Sequence, residues 1–426
     1  MKHSNWAAWA VILAGVVAAL QVGKLPPALP VLQAELGVSW VQSGFLLSMV
    51  QFAGMALGLV LGLLADRWGL RLCMVLGLGI LAVASGSGGW ARNPQDLMWL
   101  RGLEGLGFLL TALPAPALIR QLVSPTQLNG MLGLWGAYMP AGTALALLVG
   151  PMWIPAWGWP SWWWLFAAAS ALMALGLWWV VPSDALRRSQ ALTALPVADR
   201  QAPPMAASGA GWGQRIQDTL RAPGPWLVSL TFAFYSGQWL AVVGFLPSIY
   251  AQAGVTGAGL GALTALAAGV NMLGNVAAGR LLQKGVAPGV LLNLGFAAMA
   301  LGSALAFGDW TQALPLVRYA GVLLFSMCGG LVPGTLFSLA VRLSPHEGTV
   351  STTVGWMQQW SCVGQFAGPP LVAWLASSVG GWQWTWLITG ACCLGGMTLA
   401  RQMTVVLSRT IRATPLSVNA NSRDAA

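Results

Sequence analysis

The stretch Gly62–Arg71 reads GLLADRWGLR and sets Asp66 beside Arg67 between two long apolar runs. Charges are scarce elsewhere, because 57% of the 426 residues are hydrophobic and only 7% are charged. Soluble domains carry about 25% charged residues. So few charges cannot cover a surface that faces water. The sequence therefore predicts an integral membrane protein, with its charges gathered in the loops between spans.

Twelve apolar runs are long enough to cross a bilayer, which takes about twenty residues of helix. The first run is too long for a cleaved signal peptide, no small-residue cleavage site follows it, and Lys24–Pro27 continues straight into a second span. An all-α membrane fold with twelve transmembrane helices follows. Their approximate limits are 6–31, 39–65, 70–90, 97–121, 128–150, 161–182, 224–250, 257–281, 286–307, 313–341, 349–376 and 384–406.

The basic residues set the orientation of these spans. With the N-terminus inside, sixteen of the 20 Lys and Arg residues lie on the cytoplasmic side, as the positive-inside rule requires. The outer side keeps only Lys24, Arg92, Arg101 and Arg318. The excess of basic residues in cytoplasmic loops thus explains the net charge of +10, and no nucleic-acid partner is expected. We expect a multi-pass protein of the bacterial inner (plasma) membrane, surrounded by the lipid bilayer, with both termini cytoplasmic.

A polar segment divides the spans into six and six. This segment, 183–222, is rich in Pro, Ala, Gly and Arg and is predicted to be a cytoplasmic linker. The halves repeat each other weakly, since Arg101 and Arg318 occupy similar positions. Two related six-helix bundles around a central cavity are typical of transporters. The predicted divisions are 1–182, the N-terminal bundle; 183–222, the linker; 223–406, the C-terminal bundle; and 407–426, a cytoplasmic tail.

The opening stretch resembles the inner-loop signature of the major facilitator superfamily, G-x-L-a-D-R-x-G-R-[RK]. The resemblance extends over about 6–406 and implies a monomeric transporter of two six-helix bundles. It also implies a conformational latch, which clasps neighbouring helices in one state and releases them in another. The alternative is a loop anchored by its arginines, but topology alone does not require the acid or the glycines. The latch residues would be Gly62, Asp66, Arg67, Gly69 and Arg71.

The fourth run contains RGLEGLG, residues 101–107, which resembles the R-x-x-x-G-x-G element of the same superfamily. That resemblance implies a role for Arg101 in proton coupling. Glu104 is the one acid expected inside a span, where an ionisable group is costly and therefore a functional candidate. Because Arg101 and Glu104 are three residues apart on one helix, they could instead form a structural ion pair. The sequence is consistent with both interpretations, a role in proton coupling and a structural ion pair.

The first run carries Lys24 in its outer half, followed by Pro26, Pro27 and Pro30. Irregular backbone at membrane depth is expected where it packs in protein or lines a cavity. A cation in the cavity would favour an anionic substrate. The alternative is a lysine that extends along the helix to the lipid headgroups.

Other polar and aromatic side chains within the runs could line the same path. Amides and aromatic rings can hold a small carboxylate-bearing or planar solute. The alternative for each is an interhelical hydrogen bond, worth about 0.6 kcal/mol. Besides Lys24, the predicted substrate-binding residues are Gln21, Gln51, Trp135, Tyr138, Tyr235, Gln238, Trp239, Asn271, Asn275, Trp356 and Gln359.

Three further segments resemble the cyanate and nitroimidazole (CynX/NimT) branch of the superfamily: GLWGAYMPAGTAL (133–145), VVGFLPSIYAQAGV (242–255) and WMQQWSCVGQFAGPP (356–370). That branch often has arginine where this chain has Lys24. With Lys24 to attract the anion and Arg101 and Glu104 to couple protons, we predict symport of a small organic or inorganic anion, carboxylate- or cyanate-like, by alternating access. Export of amphipathic or cationic compounds is the alternative. Met139 counts mildly against it, because drug antiporters usually have glycine there.

Other classes of membrane protein find little support. The two histidines fall outside the runs, and no run holds a pair of acids, so neither an enzyme nor a metal site is expected. Five cysteines lie in or beside apolar runs without metal-site spacing. No phosphate-binding loop is present, which argues against ATP, and no cofactor is expected. A channel would need a selectivity element, and none is evident.

Overall fold

The computed structural model describes residues 5–58, 68–187 and 212–413, and these ranges are helical with short connections and no strand. Each predicted run is helical over its described residues, and the twelve-helix fold is confirmed. The bounds of the helices are α1, Asn5–Gly23 and Leu25–Leu36; α2, Trp40–Met49 and Phe52–Gly58; α3, Leu70–Gly88; α4, Pro94–Ala112 and Ala115–Leu122; α7, Pro223–Gln252; α8, Gly257–Gly269 and Asn271–Gln283; α9, Pro288–Phe307; α10, Pro315–Gly329 and Leu331–Arg342; α11, Val350–Val379; and α12, Thr385–Ala413.

Helices α5 and α6 meet without a loop. Pro125–Gly136 begins α5, and the helical stretch Tyr138–Val180 then contains a non-helical residue, Gly158, with φ of 76°. This glycine ends α5 and starts α6, because the left-handed region is accessible to glycine without a Cβ clash. Within the described ranges, nine helical stretches meet the length and hydropathy of a membrane span, or ten with the bent pair in α2. The remaining crossings are the second half of the α5–α6 stretch and α11.

Several helices are interrupted near their middles. Lys24 separates the two parts of α1, Ala137 those of α5, Val270 those of α8 and Gly330 those of α10. In α2 the parts before and after Val50 are bent by 43°. Prolines explain the break in α1, since a proline has no N–H to donate to the preceding turn. Such breaks free backbone groups at membrane depth, where substrate sites of transporters are built.

The two bundles meet along α2 with α11 and along α5 with α8. The rings of Trp40 and Trp382 stack with centroids 5.3 Å apart at one end of the α2–α11 contact. A Cβ on Gly261 of α8 would lie 2.5 Å from the Leu148 carbonyl oxygen, so the absence of a side chain allows this close approach. We call the opposite end of the molecule, where Arg71, Lys284 and Arg342 lie, the basic end.

Several predicted limits differ from the structure. Helix α1 ends at Leu36, past the predicted limit at 31, and α5 continues to the kink at Gly158, past the predicted limit at 150. Helix α12 continues to Ala413, past the predicted limit at 406, because Ser408-Arg409 ends the apolar run without ending the helical backbone. Within the predicted linker, Trp212–Arg221 forms a short amphipathic helix, which we call the linker helix. Its last turn is tied to α7, since Trp226 Nε1 donates to the Leu220 carbonyl oxygen at 2.8 Å.

Candidate functional site

Lys24 is enclosed within the N-terminal bundle and has no solvent exposure. Its Nζ donates to Gln21 Oε1 at 2.7 Å, to Ser85 Oγ at 2.7 Å and to Glu104 Oε1 at 2.5 Å. It also lies 4.9 Å from the centre of the Trp163 ring. An ammonium group has three N–H donors, so all three are engaged. The sequence left two positions open for Lys24, a cavity wall and the headgroup region. The structure encloses it between α1, α3, α4 and α6.

Glu104 joins Lys24 to Arg101. Its second oxygen, Oε2, accepts a hydrogen bond from Arg101 Nη1 at 2.7 Å. Arg101 also donates to two backbone carbonyls, those of Gln21 at 2.7 Å and Leu46 at 3.2 Å. Its Nη2 is buried and has no partner among the described residues. The structure thus contains the Arg101–Glu104 ion pair that the sequence offered as one alternative. Lys24, from another helix, adds a second ion pair to Glu104. We call Lys24, Arg101 and Glu104 the charged cluster.

The charged cluster holds two cations and one carboxylate, all at most 1% exposed. With the three groups ionised, its net charge is one positive unit. Burying unpaired charge in a low-dielectric interior is expensive, so the cluster needs either surrounding dipoles or a further anion. The unpartnered Arg101 Nη2 is one donor through which an anion could be bound.

Polar groups from α3 and α6 hold the cluster in place. Ser85 Oγ donates to the Trp163 carbonyl oxygen at 2.9 Å while accepting from Lys24. Trp162 Nε1 donates to the Lys24 carbonyl oxygen at 3.0 Å, which ties α6 to the break in α1. Sequence reasoning did not select Ser85. Its only sequence signal is a polar residue in an apolar run, which many structural serines share.

Gln21 orients the charged cluster from within α1. Its amide nitrogen donates to the Phe166 carbonyl oxygen at 3.1 Å and to Ser170 Oγ at 2.9 Å. Its amide oxygen is therefore turned toward Lys24. The predicted binding residue Gln21 lies beside the cluster, and its side chain serves to fix the lysine.

A second predicted pair, Trp135 and Tyr138, lies at the break in α5. Their rings stack with centroids 4.3 Å apart and an interplanar angle of 18°. The Trp135 ring packs directly on Gly15 of α1, where a side chain would collide with it. This aromatic pair belongs to the N-terminal bundle and is mostly buried.

In the C-terminal bundle, four predicted residues form one hydrogen-bonded group at the breaks in α8 and α10. Asn271 Nδ2 donates to the Tyr235 hydroxyl at 3.0 Å and to the Ser326 carbonyl oxygen at 2.8 Å. Trp239 Nε1 donates to Ser326 Oγ at 3.2 Å. Asn275 Nδ2 contacts Asn271 Oδ1 at 3.2 Å. These bonds agree with the alternative of interhelical hydrogen bonding.

Gln51 and Gln359 both lie at the contact between α2 and α11. Gln359 Nε2 donates to the Met55 carbonyl oxygen at 2.8 Å. The Cys362 thiol lies 3.5 Å from Gln51 Oε1. Gln51 Nε2 and Gln359 Oε1 are buried without hydrogen-bond partners in the described ranges. One free donor and one free acceptor therefore lie where the two bundles meet.

Two predicted residues lie apart from these groups. Gln238 donates to the Phe234 carbonyl oxygen at 3.0 Å and accepts from the Cys393 thiol at 3.4 Å, so it joins α7 to α12. Trp356 packs edge-on against Trp226, with centroids 5.0 Å apart, toward the basic end. The structure does not bring either side chain to the charged cluster.

Of the predicted latch, Gly62, Asp66 and Arg67 lie outside the described residues. Arg71 donates to the Trp178 carbonyl oxygen and lies 4.4 Å from the centre of its ring. The Asp184 carboxylate accepts from the backbone N–H groups of Arg71 and Leu72, each at 3.3 Å, and so caps α3. Gly69, with φ of 107°, makes room for that carboxylate. These residues fasten the start of α3 to the end of α6.

Comparisons with known proteins agree with this architecture. A family model described as the Major Facilitator Superfamily matches residues 11–364. A bacterial homologue of the human lysosomal transporter Spinster, inward-facing and unoccupied, matches with a TM-score of 0.74 and 16% identity, over 97% of this chain and 95% of that one. The xylose transporter XylE from E. coli, partially occluded and inward open, matches with a TM-score of 0.71 and 15% identity, over 94% and 98%.

Curated relatives match over shorter segments. The tetracenomycin C resistance and export protein of Streptomyces glaucescens is 28% identical over 163 residues, which are 36% of this chain and 29% of the relative. The multidrug resistance protein MdtH of Salmonella typhimurium is 31% identical over 116 residues, or 27% and 29%. The methylenomycin A resistance protein of Bacillus subtilis is 31% identical over 126 residues, or 29% and 26%. The chain spans less than a third of the length of these relatives.

Proposed function

We propose that this chain, which belongs to the Major Facilitator Superfamily of membrane transporters, carries a small anion across the membrane by alternating access, together with protons. The anion would be organic or inorganic, such as a carboxylate or a cyanate-like ion. A narrower link to cyanate transporters rests on the sequence resemblance alone. We further propose a monomer in a bacterial inner membrane, with the basic end and both termini cytoplasmic.

The observation that carries the anion proposal is the excess positive charge of the buried cluster. Lys24 and Arg101 share a single carboxylate, Glu104, and no other acid bonds to either cation in the described ranges. A substrate anion that approaches Arg101 Nη2 would neutralise the remaining charge. It would also satisfy a donor that is otherwise buried without a partner.

A proton on Glu104 would strengthen this attraction. Protonation removes the one negative charge and raises the net charge of the cluster from one positive unit to two. It also weakens the hold of Glu104 on Lys24, so that the ammonium becomes available to the substrate. Because coupling between two ligands is reciprocal, an anion in the site would in turn favour the proton. Proton and anion would then travel in the same direction, as in symport.

Export of amphipathic or cationic compounds is the second candidate. The relatives are named as resistance and export proteins. Lys24 is also fully engaged by protein acceptors, and the Trp135–Tyr138 pair offers a stacked aromatic surface. In this case protonation of Glu104 would leave two positive charges in the cluster, and these would repel a cationic substrate. Proton and substrate would then move in opposite directions.

Whether ligand binding strengthens or weakens as the pH falls distinguishes the two candidate functions. The purified chain in detergent would be titrated with small carboxylates, cyanate and cationic dyes, and its thermal stability followed at mildly acidic and mildly alkaline pH. A ligand that binds the folded state raises stability by mass action. Anion shifts that grow at acidic pH and vanish in Lys24→Gln support the proposal. Dye shifts that grow at alkaline pH and survive in Lys24→Gln favour export.

A further inference from the structure

A groove between α7 and α12 opens on the lipid-facing surface at the basic end. Its volume is about 550 Å³. Most of the side chains along it are apolar, and two polar side chains, Arg401 and Gln402, lie together on its α12 wall. The remaining lining residues are Pro223, Trp226, Leu227, Leu230, Leu399, Val405 and Val406.

Arg401 lies well inside the apolar part of α12. It precedes the end of the apolar stretch Thr385–Leu407 by six residues, which is about 9 Å at 1.5 Å per residue. Its side chain is exposed, and no acceptor of the protein bonds to it in the ranges that the structure describes. A guanidinium at that depth is costly unless an anion or water reaches it.

The neighbouring surface is suited to a lipid headgroup. The linker helix ends beside the groove with the exposed Arg221, and Trp226 fixes this end to α7. Tryptophan is favoured at the boundary between headgroups and acyl chains. Toward the bilayer centre, Leu230 and Leu399 offer an apolar wall to an acyl chain. Basic side chains thus lie at the headgroup end of the groove, and apolar side chains line its end toward the bilayer centre.

We propose that this groove is a binding site for an anionic phospholipid from the leaflet at the basic end. The lipid phosphate would accept hydrogen bonds from Arg401, and an acyl chain would lie between α7 and α12. Basic pockets between transmembrane helices bind anionic headgroups in this way. The Arg401 charge is then neutralised by lipid, where the protein supplies no carboxylate. This proposal does not depend on which substrate the protein carries.

Native mass spectrometry of the purified full chain in a neutral detergent provides the test. Dioleoyl phosphatidylglycerol, dioleoyl phosphatidylcholine and inorganic phosphate are added in parallel, and retained adducts are counted. We expect preferential retention of phosphatidylglycerol. Arg401→Gln should weaken that binding about fivefold, since a basic residue near the surface is worth about 1 kcal/mol toward anionic lipid. Arg342→Gln is the matched control, because it removes an exposed arginine at the same end outside the groove.

Leu230→Trp provides a second variant, which keeps every charge and fills the channel for the acyl chain. It should also lower retention of phosphatidylglycerol, which a purely electrostatic surface would not show. Equal losses in Arg401→Gln and Arg342→Gln would overturn the proposal, because attraction would then depend only on total charge. Retention of phosphatidylcholine to the same extent, or competition by inorganic phosphate alone, would overturn it as well.

Discussion

Lys24 and Glu104 are 80 residues apart in the chain, and their side chains meet at 2.5 Å in a site without solvent exposure. The contact joins α1 to α4, and Arg101 completes it from the same helix as Glu104. One carboxylate pairs with two cations. The net charge that a neutralising substitution leaves in the cluster therefore depends on whether a cation or the acid is replaced. Removing either cation leaves a neutral pair, whereas removing the acid leaves two buried positive charges.

The stability of variants should depend on the net charge that remains buried in the cluster. We expect Glu104→Gln to be the most destabilising of the single substitutions, by roughly 3–5 kcal/mol, because it leaves uncompensated buried charge. Lys24→Gln should cost less, and the double variant Lys24→Gln with Glu104→Gln should recover part of the loss. Thermal unfolding of the four proteins in detergent gives the coupling between the two positions. Additive losses would contradict the charge argument.

Transport should depend on Lys24 through its charge. With Lys24→Gln the cluster becomes neutral, so we expect uptake of the substrate anion to be abolished while expression is unchanged. Uptake by proteoliposomes gives the measurement, and Lys284→Gln, a loss of lysine at the basic end, is the control. Unchanged uptake in the Lys24 variant would remove the argument for an anionic substrate.

Glu104 should couple transport to protons. A glutamine at this position cannot take up a proton, so Glu104→Gln should retain exchange of substrate across the membrane but lose accumulation driven by a pH gradient. Both activities can be measured on one proteoliposome preparation, with and without an imposed gradient. Normal accumulation in the variant would exclude Glu104 from coupling, even if the variant were less stable.

Ser85 should position the lysine. Ser85→Ala removes an acceptor of Lys24 and leaves the Trp163 carbonyl oxygen without that donor. We expect a loss of about 1–3 kcal/mol in stability. Ser87→Ala on the same helix is the control, since Ser87 lies away from the cluster. A positioning role also predicts a changed pH dependence of uptake, which a loss of packing alone would not produce.

Replacement of Gly69 by any residue with a side chain should destabilise the protein. Its φ of 107° is strained for other residues, and a Cβ would lie 2.5 Å from the Asp184 carboxylate that caps α3. We therefore expect Gly69→Ala to destabilise the protein by about 1–3 kcal/mol. Gly79→Ala, within α3, should instead be neutral or stabilising by up to about 1 kcal/mol, because that site is open and helical. Equal melting temperatures for the two variants would contradict this account.

Some of the candidate site could be predicted from the sequence. An acid in an apolar run is rare enough to single out Glu104, and its spacing from Arg101 predicts that the two can pair. Ser85 and Ser170 gave no comparable signal, because a serine fits an apolar helix by bonding to its own backbone. For Tyr235 and Asn271 the residue types suggested a polar site, and their partners were not predictable.

The class of fold and, to within a few residues in most places, the limits of the helices were predictable from the sequence alone. The reason is local, since the length of an apolar run must match the thickness of a bilayer whatever the neighbouring helices are. The position of the Lys24 side chain, in contrast, was not predictable without the packed bundle. Its direction depends on the break in α1 and on three acceptors, two of which come from α3 and α4. Those acceptors reach the ammonium only when the bundle is packed, because a buried charge adopts the position in which other helices compensate it.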